Sequence, residues 1–205
     1  LMATVGLAIL GADPATVTDL RLTDQTAGAW TLSFGDGQTQ ALHLEAFTVL
    51  APSATIVVDD GSIARPADLG GLRLWRGQVS GDPDSLVYIA TSRHATNGFI
   101  RSGGGLQVIA TAADGSIILT RADELPPSYM TTPPCDVRTV EGHIPVIHRA
   151  TRSVGTEPPC RVATLALDSD WEFTNDVFDG DADAAAAYAI MLAGGISEIY
   201  SNNLN

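Results

Sequence analysis

The side chains able to do chemistry are few and scattered. The chain carries four histidines, His43, His94, His143 and His148, and two cysteines, Cys135 and Cys160. A hydrolytic zinc centre needs two histidines one helical turn apart, a third further on, and a glutamate beside the first as general base. His143 and His148, in HIPVIH, come nearest to that pattern. A spacing of five does not place two imidazoles on one helix face, Pro145 opposes a helix, and no Glu follows His143. No catalytic residue is assigned, and the chain alone is expected to hydrolyse no peptide. Both cysteines stand in a Pro-Pro-Cys context. In an oxidising compartment an even count favours a Cys135–Cys160 disulfide, closing a loop of about 24 residues and stabilising by roughly 3 kcal/mol. Thiol partners beyond residue 205 are the other option the count allows.

The acidic run Asp168, Asp170, Glu172, Asp176, Asp179, Asp181, Asp183 invites a calcium hypothesis. Its DGDAD core is not an EF-hand loop, because Ala184 stands where Gly is needed and Ile190 where Glu is needed. Helix capping by Asp181 or Asp183 and favourable placement at the positive end of a helix explain it more simply. Gly103-Gly104-Gly105 is read as a hairpin tip, since no helix or Lys-Ser/Thr pair follows. Arg149, Arg152 and Arg161 are lone basic residues; no dibasic processing pair stands there.

The elements that must carry these residues fall into four stretches. Residues 1–16 hold LMATVGLAILG, either the tail of a signal peptide or a buried first strand. Residues 17–125 are strand-rich, with candidate strands at 18–22, 30–34, 40–49, 55–58, 72–79, 85–91, 98–101, 106–111 and 116–119. Turn signals separate them: Gly35-Asp36-Gly37, Asp59-Asp60-Gly61, Gly81-Asp82-Pro83-Asp84, Asn97-Gly98 and Asp114-Gly115. Asn97-Gly98 and Asp114-Gly115 are expected to form tight hairpins. The regular spacing predicts a mainly β fold, a sandwich or a partly open barrel. Residues 126–159 are Pro-rich and aperiodic, an extended connector. Residues 160–205 read as an apolar strand over 162–167, an acidic turn and one helix. In that helix Tyr188, Met191, Leu192, Ile196, Ile199 and Tyr200 fall on one stripe. One strand and one helix cannot bury that stripe alone, so the segment reads as the opening of a domain that continues past Asn205.

Two stretches resemble one protein family. LALDSDWEF followed by YAIMLAGGISEIYSNNLN is similar to the start of the catalytic domain of reprolysin-like metzincins, the adamalysin-related zinc endopeptidases. The matching residues are Leu165, Ala166, Leu167, Asp168, Tyr188, Ile196, Ser197, Ile199, Tyr200, Leu204 and Asn205. Upstream, residues 75–112 resemble the propeptide of such enzymes, through Gly77, Val79, Gly81, Ser85, Gly98, Phe99 and Ile100. The resemblance implies a β-rich propeptide and a connector, followed by the first strand and helix of an α/β catalytic domain. It implies a secreted zymogen whose zinc ligands lie beyond this chain. There the propeptide assists folding and keeps the enzyme latent against protein or peptide substrates. It also adds a third option for Cys135, a cysteine switch whose thiolate occupies the open zinc position. Asp136 stands where the switch segment usually has Gly. The family's calcium-binding Glu is matched by Val162, so that site is not carried over.

The alternative is a non-catalytic secreted adhesion or carbohydrate-binding β-sandwich, with exposed Trp30 and Trp75 stacking on a ligand. The net charge of −13 argues against nucleic-acid or anionic-membrane partners. No apolar run is expected to reach the roughly 20 residues of a membrane span.

Overall fold

The computed structural model describes residues 15–21, 29–34, 38–59, 63–112, 114–125 and 172–203. The strands are β1 (Ala15–Arg21), β2 (Ala29–Phe34), β3 (Thr39–Phe47), β4 (Val57–Asp59), β5 (Ala64–Pro66), β6 (Arg73–Val79), β7 (Asp82–Thr91), β8 (Thr96–Ser102), β9 (Gly105–Thr111) and β10 (Ile117–Arg121). One long helix, α1 (Ala182–Asn203), follows a short π-helical turn at Phe173–Val177. Of the two β architectures expected, a sandwich or a partly open barrel, the protein takes a single curled, barrel-like sheet. Strands β2-β3-β6-β7-β8-β9-β10 curl as one antiparallel sheet, and β1 closes it by pairing with both β2 and β10. Closure pairs both outer strands of the curled sheet, β2 and β10, with β1. The short β4–β5 hairpin stands apart.

Alternation builds the interior. On β3, Leu42 and Leu44 point in while His43 and Glu45 point out. Trp30, Leu32, Val87, Ile89, Ile100, Ile109 and Leu119 complete the core. β7 breaks the alternation, because every residue from Ser85 to Ala90 is buried. Its inward side chains fill the barrel, and its outward ones, Tyr88 and Ala90, lie under α1 with Leu74 and Met191.

The Gly77–Ser85 pattern proves to be a hairpin with a bulge. Gly81 turns the chain at φ 84°, a region that favours glycine. The pairing register of β6 with β7 shifts between Gly77 and Val79. The Ser85 hydroxyl satisfies the bulge: it accepts from Val79 N–H at 2.8 Å and donates to the Asp82 carbonyl at 2.5 Å. The Asp114-Gly115 hairpin forms as expected, joining β9 to β10. The Asn97-Gly98 hairpin does not. Both residues lie inside β8, paired with Ala90 and Ile89, and the turn falls at 92–95 instead. At Gly98 a side chain would collide with the Tyr88 carbonyl, so the glycine serves close backbone approach rather than a turn. The β5 strand had no sequence signal, being three residues that include a proline.

Several expectations fall outside the described residues: the 1–11 segment, the 126–159 connector, the 162–167 strand, His143, His148, Cys135, Cys160, and the Arg149, Arg152 and Arg161 positions. α1 departs from one expectation. By length and composition its residues Ala182–Asn202 are apolar enough to cross a membrane. Here the helix lies against the barrel.

Candidate functional site

The seam between the barrel and α1 gathers the polar and aromatic groups the core does not use. It has three contact points along a helix of 22 residues, a length of about 33 Å at the α-helical rise.

At the N-terminal end Asp181 is the cap, its Oδ1 accepting from the N–H groups of Asp183 and Ala184 at 3.1 and 3.0 Å. Asp183 does a different job. Its carboxylate accepts both Arg65 guanidinium nitrogens, at 2.8 and 3.0 Å, and Asp68 N–H at 2.9 Å. The bidentate bond to Arg65, more than burial opposes it, holds the Asp183 carboxyl below its usual range. The β4–β5 hairpin is thereby fixed to the helix start. Asp68 is in turn held low by Gly70 N–H and by Arg93, 2.8 Å away. His94 stands beside the cap, with Nδ1 3.8 Å from Asp181.

At the middle, Tyr88 is 3 % exposed and its hydroxyl donates to the Met191 carbonyl at 2.6 Å. That carbonyl is the one the α-helical ladder assigns to Gly195 N–H. Burial pushes the Tyr88 phenol well above its ordinary range, and a bond from Gly195 N–H only partly offsets this. The ring reaches the helix backbone because Gly194 and Gly195 have no side chains. A Cβ at Gly194 would meet the Tyr88 hydroxyl at 2.5 Å and Leu74 Cδ1 at 3.0 Å. Phe47 and Phe99 flank Tyr88, with ring centroids 6.1 and 5.6 Å away.

At the C-terminal end Glu198 is buried. A carboxylate there opposes the helix dipole. Asn202 Nδ2 donates to it at 2.8 Å, and Arg76 of β6 approaches at 3.9 Å. Arg76 also bonds Glu45 at 2.8 Å and lies over the Phe47 ring. A shallow groove of about 380 Å³ opens here, lined by His43, Glu45, Arg76, Gln78, Glu198 and Asn202 among others.

The sequence-predicted stripe is divided by this arrangement. Met191 is buried and Tyr188 half-buried against Phe173 and Phe178. Leu192, Ile196, Ile199 and Tyr200 are exposed, at 48, 48, 42 and 61 %. The expectation that α1 has no packing partner within this chain is corrected: it packs on β6–β8 through its small residues. The sequence alone assigned no docking role to Gly194-Gly195, Tyr88, Arg65 or Arg76. The one available signal was the cluster of small residues Ala187, Gly194 and Gly195, which flanks Met191 at one edge of the apolar stripe. Trp30 is also corrected. It is 4 % exposed and packs edge-on against Trp75 at 4.3 Å, so the two form no exposed stacking platform.

Among the described residues no three of His, Cys, Asp and Glu gather as a metal-binding group. His43 and His94, the two described histidines, sit on separate elements, β3 and the 92–95 turn. What the seam can do is hold a helix in a defined register by shape, one buried hydroxyl and two charged ends. No protein-family model matches the chain, and a search of curated proteins finds no relative.

Proposed function

We propose that the chain is the β-barrel propeptide and the opening of the catalytic domain of a secreted zinc metalloendopeptidase of reprolysin-like metzincin type. In this reading the barrel holds the first catalytic helix during folding and keeps the enzyme latent. One observation carries it. The residues α1 leaves exposed include Ile196, Ile199 and Tyr200, which are residues of the family-like signature. The residues it turns to the barrel, Met191, Gly194 and Gly195, are not among the matching positions, although the matching Tyr188 is half-buried against Phe173 and Phe178. An apolar stripe opposite an already packed face supports a second neighbour, and exposed apolar patches of this kind mark contact surfaces. The zinc chemistry of such an enzyme would be supplied by residues beyond Asn205, and no step of it is assigned to this chain.

The docking of α1 favours a second reading, in which barrel and helix form one self-contained non-catalytic adhesion module. Burial of Trp30 removes the aromatic platform a carbohydrate-binding version would use. The test is the longer gene product. An HExxHxxGxxH within about 150 residues after Asn205, with chelator-sensitive casein cleavage by the purified protein, is the expected result. A longer product without that motif, or cleavage indifferent to chelators, sinks the zymogen reading.

A further inference from the structure

We infer that the outer face of β6–β8 is a receptor for α1 that reads its glycine pair, so that barrel and helix stay together once the chain between them is cut. The inference deepens the zymogen reading and rests on it for its meaning: cleavage of the connector would not by itself release the propeptide.

Three features carry it. The contacts are spread along the helix, at Asp183, Met191–Gly195 and Glu198, so a slide by one turn breaks them all. They are of different kinds, a bidentate ion pair, a buried hydroxyl–carbonyl bond and a buried carboxylate met by Arg76, so generic apolar collapse does not reproduce them. The central contact is steric as well as polar. A Cβ at Gly194 would strike the Tyr88 hydroxyl at 2.5 Å, and one at Gly195 would crowd the Tyr88 ring at 3.2 Å. A helix with an ordinary large-residue face would be refused. The partner is therefore defined chemically: a helix with a Gly-Gly notch, an acidic residue about three turns before it and a second acid one turn after it.

The experiment uses the whole chain with a site-specific protease sequence placed between residues 140 and 157. After cleavage the sample is reduced, so that no disulfide between Cys135 and Cys160 can hold the pieces, and analysed by size exclusion and sedimentation. The pieces are expected to co-migrate. Gly194→Ala is expected to weaken their association by about tenfold or more, since overpacking displaces Tyr88 or Leu74. Tyr88→Phe keeps the ring and is expected to weaken it by several-fold. Ser197→Ala, an exposed helix position with a comparable change in helix propensity, is expected to leave it within about threefold. Separation of the unsubstituted pieces overturns the inference. So does co-migration equally tight in Gly194→Ala and Tyr88→Phe. Neither result touches the zymogen reading, which stands or falls on the zinc motif and the chelator-sensitive activity of the longer product.

Discussion

The barrel interior and the barrel–helix seam are built on opposite plans. The interior is filled by large aliphatic side chains, with Leu32, Leu42, Val87, Ile89, Ile100 and Ile109 fully buried. It is held by area removed from water, which is non-directional and tolerant of exchange among similar shapes. The seam is held by one tyrosine set into a glycine notch, with charged pairs at either end. It buries little bulky surface on the helix side, and its strength depends on position. The difference teaches that the interior depends on the amount of apolar surface buried, whereas the seam depends on the register of the helix against Tyr88, Arg65 and Arg76. Both parts share β7, whose two faces serve the two plans.

Four substitutions or conditions sharpen that contrast, beginning with the largest effect. Ile89→Ala empties a fully buried position in the interior and is expected to cost about 2–5 kcal/mol of global stability. Denaturant unfolding followed by Trp30 and Trp75 fluorescence should report it as a fall in midpoint for the whole barrel. If only α1 responded, interior and seam would not be separate systems.

Tyr88→Phe deletes the hydroxyl that bonds the Met191 carbonyl and is expected to cost about 1 kcal/mol. Hydrogen exchange should show residues 184–200 opening more readily, with protection across β8 and β9 nearly unchanged. Equal loss of protection in strands and helix would make the seam part of one cooperative core.

Acid should loosen the helix start before the barrel. The Asp183 carboxyl is held below its ordinary 3.8 by Arg65. A carboxyl depressed in the folded state stabilises above its unfolded value and loses that contribution as pH falls through its folded value. This carboxylate contributes no change above about pH 5, and opening at 182–186 should increase below about pH 4. Arg65 is half exposed, so screening limits the contribution to a few tenths to about 1 kcal/mol. Asp183→Asn should reduce the pH dependence at that end, leaving what the Asp181 cap and the Asp68–Arg93 pair contribute. If opening at the helix start kept the same acid response in Asp183→Asn, the ion pair would not be what fixes it.

The smallest expected effect is at the exposed stripe. Leu192→Ser combined with Ile196→Ser should change the stability of this chain by less than about 1 kcal/mol, because neither side chain packs on the barrel. Sedimentation should show self-association equal or reduced. A large loss of stability would mean the stripe is already covered, and the observation that carries the proposed function would fall.

Much of the barrel was legible in the sequence. The candidate strands at 40–49, 72–79, 85–91, 98–101 and 106–111 overlap β3, β6, β7, β8 and β9, and Gly81, Gly103–Gly105 and Asp114-Gly115 marked turns that the fold uses. Asp181 was readable as one of two candidate caps, but the choice between Asp181 and Asp183 was not. Both are acidic and near a helix start, and only the position of Arg65, far away in the chain, assigns Asp183 to an ion pair. Asn97-Gly98 misled for a related reason. The dipeptide suits a tight turn by its backbone freedom, yet the same lack of a side chain suits a strand pressed against the Tyr88 carbonyl. Local sequence does not distinguish these uses.

Residue pattern by itself determined that this chain makes many short strands, where several of them turn, and that a helix follows the acidic stretch. Those properties arise from side-chain periodicity and backbone permissiveness, which act over a few residues. Tertiary structure alone decided the closure of the sheet through β1, the double burial of β7 and the face of α1 that turns inward. The helix shows why. Its most hydrophobic stripe was expected to be buried, because hydropathy registers what a side chain carries. The docking face is defined by what Gly194 and Gly195 lack, and an absence acquires energetic meaning only when a partner of matching shape, here Tyr88, is brought against it by the folded barrel.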